Sequence, residues 1–476
     1  MKHLKKVVST ALAAMLLVTA FTGCGPSQST PSSSTPESTP PSSTASTNAT
    51  DESFGDNLKY NPADPVNDGK DIEINFWYPE DVKDICEDYT ARYTEMHPNV
   101  TFKATVSPWD DYWTKLPIAI TSGTGPDIFW MHNAYTDTMV PITEPMPEDI
   151  FPVDVLTKDF RQVESHKIDG KIYYIDTGLS SSVIMYNKAM WKEAGLSETE
   201  LPKTWDELTA AAKKMTKVDD AGNIVVSGFS YNGENTFANL LLAMDYQKGV
   251  FQFSEDGKKS LYNNPTTIEN MEYLQSWYTD LKIGDTKGAL SRDALGQGKT
   301  AMIWEWAWVP GYLTSTFPDL EFGIFPTPSF DGSPAAYDRN NGECSPCVSA
   351  KAEDANKAVA FDFVKYLLAN NDFLRDFALL NGIFPSKYSL DSDPKITESA
   401  THIALKQTID NTIWPGPVPS QVEEAQIKYL QDDFLKNGST AEKAAAKTDE
   451  ILQKDLANLS FVPVERSYEN ADKFKN

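Results

Sequence analysis

From Ile72 onward the apolar residues of this chain switch repeatedly between a period of two and a helical period of about 3.6, and this constrains the fold more than any other feature. Ile72, Ile74 and Phe76 alternate with polar residues, as in a half-buried strand that ends in Trp77-Tyr78. Val82, Ile85, Tyr89, Tyr93 and Met96 then keep helical spacing up to Pro98. Val100, Phe102, Ala104 and Val106 alternate again, a helical stretch follows Trp109-Asp110-Asp111-Tyr112-Trp113, and a turn over 122–127 leads into a strand at 128–131. Pro117 inside the helical stretch predicts a kink or a late start. Strand and helix in alternation predict an α/β domain with a largely parallel sheet.

A second α/β unit follows Tyr174. Residues 182–186 read as a strand, Thr204 and Glu207 form a capping box ahead of Trp205, Leu208, Ala212 and Met215, and a turn over 219–223 enters a strand at 224–229. Met271, Leu274, Tyr278 and Leu281 make one helical stripe, Val359, Phe363, Tyr366 and Leu367 another, and Ser439 with Glu442 caps a last long helix through Ile451 and Leu456. No internal repeat of roughly 20 to 50 residues is visible, which argues against a solenoid or propeller.

The chain ahead of these units carries different signals. Lys2, Lys5 and Lys6 precede an apolar stretch over 7–21 that is too short to span a bilayer comfortably, the pattern of an export signal over 1–23. Phe21-Thr22-Gly23-Cys24 resembles a bacterial lipobox, with Phe where Leu, Val or Ile is usual, so Cys24 is the expected lipidation site. Acyl chains on that cysteine would anchor the protein to a membrane. Residues 26–50 are almost entirely Ser, Thr and Pro, which cannot bury enough apolar area to offset ordering entropy, and a disordered tether is expected over 24–68.

Charge and motif content narrow the function classes. With 42 Lys and Arg against 68 Asp and Glu, the net charge of −26 argues against nucleic-acid binding. Four cysteines exclude a disulfide-dense scaffold. Cys344-Ser345-Pro346-Cys347 has no partner pair and reads as a chance or structural thiol pair, with Cys86 a buried free thiol. The histidines are scattered without ligand spacing, so no metal and no cofactor is expected. No nucleophile elbow, P-loop or dinucleotide fingerprint occurs, and the many acids always offer carboxylate pairs without marking a glycosidase.

Several short motifs occur in a characteristic order: residues 109–113 (WDDYW), 122–130 (SGTGPDIFW), Tyr186-Asn187-Lys188, 202–208 (PKTWDEL) and 298–302 (GKTAM). Together they resemble the extracellular solute-binding proteins of family 1, the maltose-binding-protein-like lipoproteins of sugar ABC importers, over about residues 71–459. That resemblance implies an α/β, two-lobe periplasmic-binding-protein-like (type II) fold with a hinge and an interlobe ligand cleft. It places lobe 1 at 69–176 plus 345–392 and lobe 2 at 177–344 plus 393–466, with crossovers near 174–178, 341–346 and 388–394. It also implies a non-enzymatic, monomeric receptor on the extracytoplasmic face of the cell membrane that delivers a carbohydrate to ABC permease subunits. A secreted carbohydrate-active hydrolase and a protein that presents ligand to a sensor kinase are the alternatives.

Large aromatics beside polar groups suit pyranose faces and their hydroxyl rims. Tyr78 and Trp130 stand at strand ends, where open α/β sheets bind ligands, and Trp109, Trp306, Trp308 and Trp414 stand in loops or at strand ends as well. The resemblance assigns a stacking role to Trp130 and Trp308. Alternation along 304–308 would turn Trp304, Trp306 and Trp308 one way, with Glu305 a hydroxyl acceptor or a surface acid. Asn133 and Asp176 are the next polar candidates, followed by Tyr231, Glu234 and Arg339, each of which also fits a structural or solvent-facing role. Trp113, Trp191, Trp205 and Trp277 on helices read as core.

Overall fold

Alternation decides the first sheet. In the strand Ile72–Pro79, Ile74, Phe76 and Tyr78 share one face and are buried together. This strand pairs in parallel with Val100–Ser107 and with Ile128–Phe129, and Cys347–Val348 adds antiparallel to the latter. The helices Lys83–Met96 and Trp109–Ser122 supply the crossovers that parallel neighbours require. The second of these starts at Trp109 and runs on through Pro117, so no late start occurs; burial of Tyr112, Trp113, Leu116 and Ile120 along one face outweighs the backbone bond the proline removes. The structure, a computed structural model, describes residues 53–233, 235–459, 463–468 and 470–475. The leader, Cys24, the tether up to residue 52 and Glu234 lie outside the described residues.

A short connecting sheet follows. Asp176–Ser180 lies between Asn341–Cys344 and Phe384–Pro385, antiparallel to both. Phe384–Pro385 stands a few residues ahead of the 388–394 return read from the sequence. Ser182–Asn187 continues into the second sheet, between Met302–Trp306 and Phe322–Pro326. There the parallel arrangement of the first unit does not recur. The two outer strands run the same way because the helix Val309–Thr316 joins them, and the strand between them runs opposite.

Two large cores result. One gathers residues within 58–175 and 344–396, including Phe76, Tyr93, Trp130 and Phe363. The other gathers residues within 184–325 and 422–456, including Trp191, Trp205, Trp277 and Trp304. Ser182–Asn187 is buried on both faces: Ile184 and Tyr186 enter the second core, whereas Val183 and Met185 join Leu179, Ile303 and Phe384 in a smaller cluster against the connecting sheet. The capping box of Thr204 and Glu207 is present. The last helix, Ala441–Leu456, is capped by Thr440 rather than Ser439, because Thr440 is the residue whose hydroxyl reaches the Lys443 N–H. Among the described residues no helix is long and apolar enough to cross a membrane.

Residues 53–68 correct the expected tether boundary, because they are a strap docked on the first core. Phe54 bridges to Tyr60, and Leu58, Tyr60 and Val66 are buried. The buried Asp159 carboxylate accepts the Asn57 N–H at 3.1 Å, the Leu58 N–H at 2.7 Å and the Asn57 side-chain amide at 2.6 Å. Tyr60 lies 2.6 Å from His97 Nε2 and donates to Asp362 at 2.9 Å. The polar residues that make this stretch look solvated are the ones that tie it down. Asp159→Ala leaves those donors without their acceptor and is expected to destabilise the protein by about 2 to 4 kcal/mol, read as a lowered melting temperature in calorimetry.

Candidate functional site

A cavity of about 400 Å³ lies between the two cores and against the connecting sheet. His132, Asn133 and Tyr135, just past the strand Ile128–Phe129, form one wall. Ser180 at the end of Asp176–Ser180, with Asn340, Asn341 and Glu343 from the returning chain, forms the floor. The opposite wall comes from Asn239 and Tyr246 on the helix Thr236–Gln247, from Gln252 and Tyr262, and from Trp306 and Trp308. Trp414 and the residues that follow it close a third side.

The lining is rich in polar atoms that are buried but unpartnered. Both amide atoms of Asn133, Ser180 Oγ, Asn239 Nδ2, Gln252 Oε1 and Asn340 Oδ1 have no hydrogen-bond partner, although each side chain is more than nine-tenths buried. Such groups are costly unless something satisfies them. Two of them are held in orientation from behind. Asn340 donates its amide to Thr412 Oγ1 at 2.8 Å, which turns its carbonyl oxygen to the cavity. Gln252 donates to Asp245 Oδ2 at 3.1 Å, leaving its own Oε1 free. A fixed mixture of donors and acceptors matches hydroxyl groups, which do both.

Aromatic and charged groups complete the site. Trp306 ends its strand, and the Arg339 guanidinium lies over its ring at 4.8 Å from the centroid. Trp308 sits past the strand end at the N-cap of the next helix and is 42% exposed. Trp414 stacks on His166 with ring centroids 4.0 Å apart and planes 6° from parallel, and His166 Nε2 faces Asp176 Oδ2 at 2.9 Å. Burial works against the charged form of His132, but the Glu343 carboxylate 3.3 Å away more than offsets it and raises the pKa. Behind the wall, Glu465 accepts from Tyr246 at 2.9 Å and from the Phe253 N–H at 2.9 Å, and burial pushes its pKa up to about 7.

A second cavity of about 380 Å³ shares Trp414 and lies on the side of Arg161, Gln162 and Tyr388. Its arginine is already paired, to Asp391 at 2.7 Å and Asp410 at 2.8 Å. Gln162 Oε1 is the one unpartnered buried polar atom among its described lining side chains, whereas Asn133, Ser180, Asn239, Gln252 and Asn340 all carry such atoms in the first cavity, which is therefore the candidate site.

The structure brings Asn133, Trp306, Trp308, Arg339 and Trp414 to that cavity. Trp109 stands behind it, 5.4 Å from His132 and 6.3 Å from Tyr135 between ring centroids. The remaining described candidates do not line it. Tyr78 has the parity of Ile74 and Phe76 and so enters the core. Trp130 is buried against Phe377, with centroids 5.2 Å apart. Tyr231 stacks on Tyr278 at 4.4 Å inside the second core and donates to the Leu274 carbonyl. Glu305 has the opposite parity to Trp304 and Trp306, and it is buried where it accepts from Ser291 and Thr236. Asp176 holds His166, and reaches the site only through Trp414. Trp304 and Trp306 share one parity, as expected, with Trp304 buried in the second core further back along the strand; Trp308 lies beyond the strand end, where alternation no longer sets its direction. Cys344 and Cys347 are free buried thiols that face Asp176 and the Tyr173 carbonyl respectively, and burial pushes both thiols up, away from reactivity.

Comparison with known proteins settles the family. The profile described as bacterial extracellular solute-binding protein matches residues 79–371. The chain belongs to that family. Its relatives include the arabinooligosaccharide-binding protein of Bacillus subtilis (strain 168), 23% identical, with 77% of this chain and 84% of the relative covered. The diacetylchitobiose binding protein DasA of Streptomyces coelicolor is 24% identical over 79% of this chain and 86% of its own. Among solved structures, the cyclic alpha-maltosyl-1,6-maltose binding protein of Arthrobacter globiformis superposes with a TM-score of 0.69 at 21% identity, over 82% of this chain and all of that one (100%). The two-lobe fold is thereby established, and the family is one of binding proteins, not enzymes.

For a solute-binding protein, the residues that sequence reasoning missed are the informative ones. Ser180, Asn239, Gln252 and Asn340 supply most of the unpartnered atoms. Asn239 carried a usable signal, a lone amide inside the apolar run of a helix that is buried all round. Glu465 makes a pH prediction. Its folded pKa lies above the ordinary 4.5, so the native state holds a proton that the unfolded state has released, and stability falls as pH rises from 4.5 to about 7. Thermal melts of Glu465→Gln are expected to lose that decline, by up to a few kcal/mol, relative to the parent protein.

Proposed function

We propose that this protein captures an oligosaccharide in the cleft and hands it to the permease of an ABC importer. The observation that carries the reading is the set of desolvated, unpartnered groups of Asn133, Ser180, Asn239, Gln252 and Asn340 beside the indoles of Trp306, Trp308 and Trp414. Hydroxyl rims satisfy the former and apolar sugar faces cover the latter. Relatives named for arabinooligosaccharide and diacetylchitobiose support a sugar ligand. In this reading the connecting strands act as a hinge between lobes near the limits read from the sequence, ligand closes the cleft, and the closed form is what the permease recognises. The protein works as a monomer, held by lipid on Cys24 at the outer face of the membrane.

Titration calorimetry against a panel of oligosaccharides tests the ligand class. Trp308→Ala is expected to weaken binding by roughly ten- to a hundredfold, since one stacked ring contributes on the order of 1 to 3 kcal/mol. Trp130→Ala is expected to lower the melting temperature instead, as its ring is core. Equal affinity of a folded Trp308→Ala protein would remove the indole from the site.

Anchoring has its own check. Cys24→Ser is expected to leave the protein in the medium or as uncut precursor on fractionation, and a normally processed membrane-bound form would contradict lipidation.

A further inference from the structure

Arg339 is the only lysine or arginine among the described residues that line the cleft. Its guanidinium lies over Trp306, and its Nε is buried with no hydrogen-bond partner. No described carboxylate forms an ion pair with it, and each nearby acid is engaged elsewhere. Glu343 faces His132 at 3.3 Å. Glu423, at the rim, accepts from Asn235. Asp338, the preceding residue, accepts from Ser182 and Ser181, and its carboxylate makes no ion pair or side-chain hydrogen bond with the guanidinium. The backbone around Arg339 is fixed as well, since its N–H donates to Asp338 Oδ1 at 2.6 Å and its carbonyl accepts from Ser181 at 2.9 Å.

Arg339 is half-buried, but its Nε is shut off from water with no acceptor beside it, and a charged donor left in that state is unfavourable until an acceptor reaches it. The contact with the indole limits the freedom of the guanidinium, and a planar fork of donors suits a carboxylate. In a chain with a net charge of −26, an unpaired arginine at this one place is a specific feature and not part of a general basic surface. We propose that the ligand carries a carboxylate, as in an oligosaccharide containing a hexuronate, and that this group pairs with Arg339 beside Trp306 while the neutral sugar rings take the amides of the floor. Arg339 is thus the residue that sets acidic over neutral sugars. The inference rests on the oligosaccharide reading above and narrows it.

The experiment titrates the purified full chain with two pairs of probes by calorimetry: trigalacturonic acid against its neutral counterpart galactotriose, and glucuronosyl-xylotriose against xylotriose. In at least one pair the acid is expected to bind at least roughly tenfold more tightly than its neutral partner, as a charge-assisted bidentate contact implies. Arg339→Gln is expected to bring that ratio close to one, and Arg339→Lys, which keeps the charge but not the fork, to leave an intermediate ratio. Neutral probes that bind as tightly as their acidic partners, or tighter, overturn the proposal and leave the oligosaccharide reading standing. A ratio unchanged in folded Arg339→Gln and Arg339→Lys proteins also overturns it. If no probe of either kind binds, the oligosaccharide reading falls and the carboxylate proposal falls with it.

Discussion

The antiparallel contact between Asp176–Ser180 and Asn341–Cys344 is the constraint on which the rest of this molecule depends. It brings Ser180 beside Asn341 and so assembles the floor of the cleft from chain segments far apart in sequence. The contact is close enough that a Cβ at position 342 would collide with the Asp176 carboxyl group, so glycine is required there. The same carboxylate faces His166, and His166 stacks on Trp414. One backbone register therefore fixes the polar floor and, through two side chains, an aromatic side of the site.

The chemistry of the cleft follows from what is not satisfied inside the protein. Elsewhere buried acids find several donors, as Asp159 does with Asn57 and Leu58, and as Asp245 does with Thr267 at 2.7 Å and Asn270 at 2.7 Å. In the cleft the amides of Asn340 and Gln252 are held from behind by Thr412 and Asp245 and left open in front. Holding them in advance lowers the ordering entropy that binding would otherwise cost. The indoles add apolar area beside these atoms, which is the combination a ligand with both apolar faces and polar edges requires.

The strand and helix grammar of the fold was legible because each period was carried by many residues. Ile72, Ile74 and Phe76 gave the first strand, and Thr204 with Glu207 gave a helix start. The strap was not legible, since Asp56 and Asn57 look solvated until Lys387 and Asp159, distant in sequence, are known to receive them. The same limit governs the site. Trp306 and Trp308 stood out by composition, and Trp130 stood out equally but faces Phe377. Tyr78 could have been assigned to the core from parity alone, and Glu305 could have been set apart from Trp304 and Trp306 in the same way. Asn340 and Gln252 could not have been found, because their importance lies in a missing partner, a property that exists only once the chain has folded.

The strap also determines how the fold would carry a mechanical load. A pull on the chain ahead of Ser53 would be resisted by the amide–carboxylate bonds of residues 57 and 58 to Asp159 and by the ion pair of Asp56 with Lys387, 3.3 Å long. Both receiving residues belong to segments of the first core, so the tension ends there. The half of the molecule built around Trp205 and Trp277 contributes neither of these receiving residues.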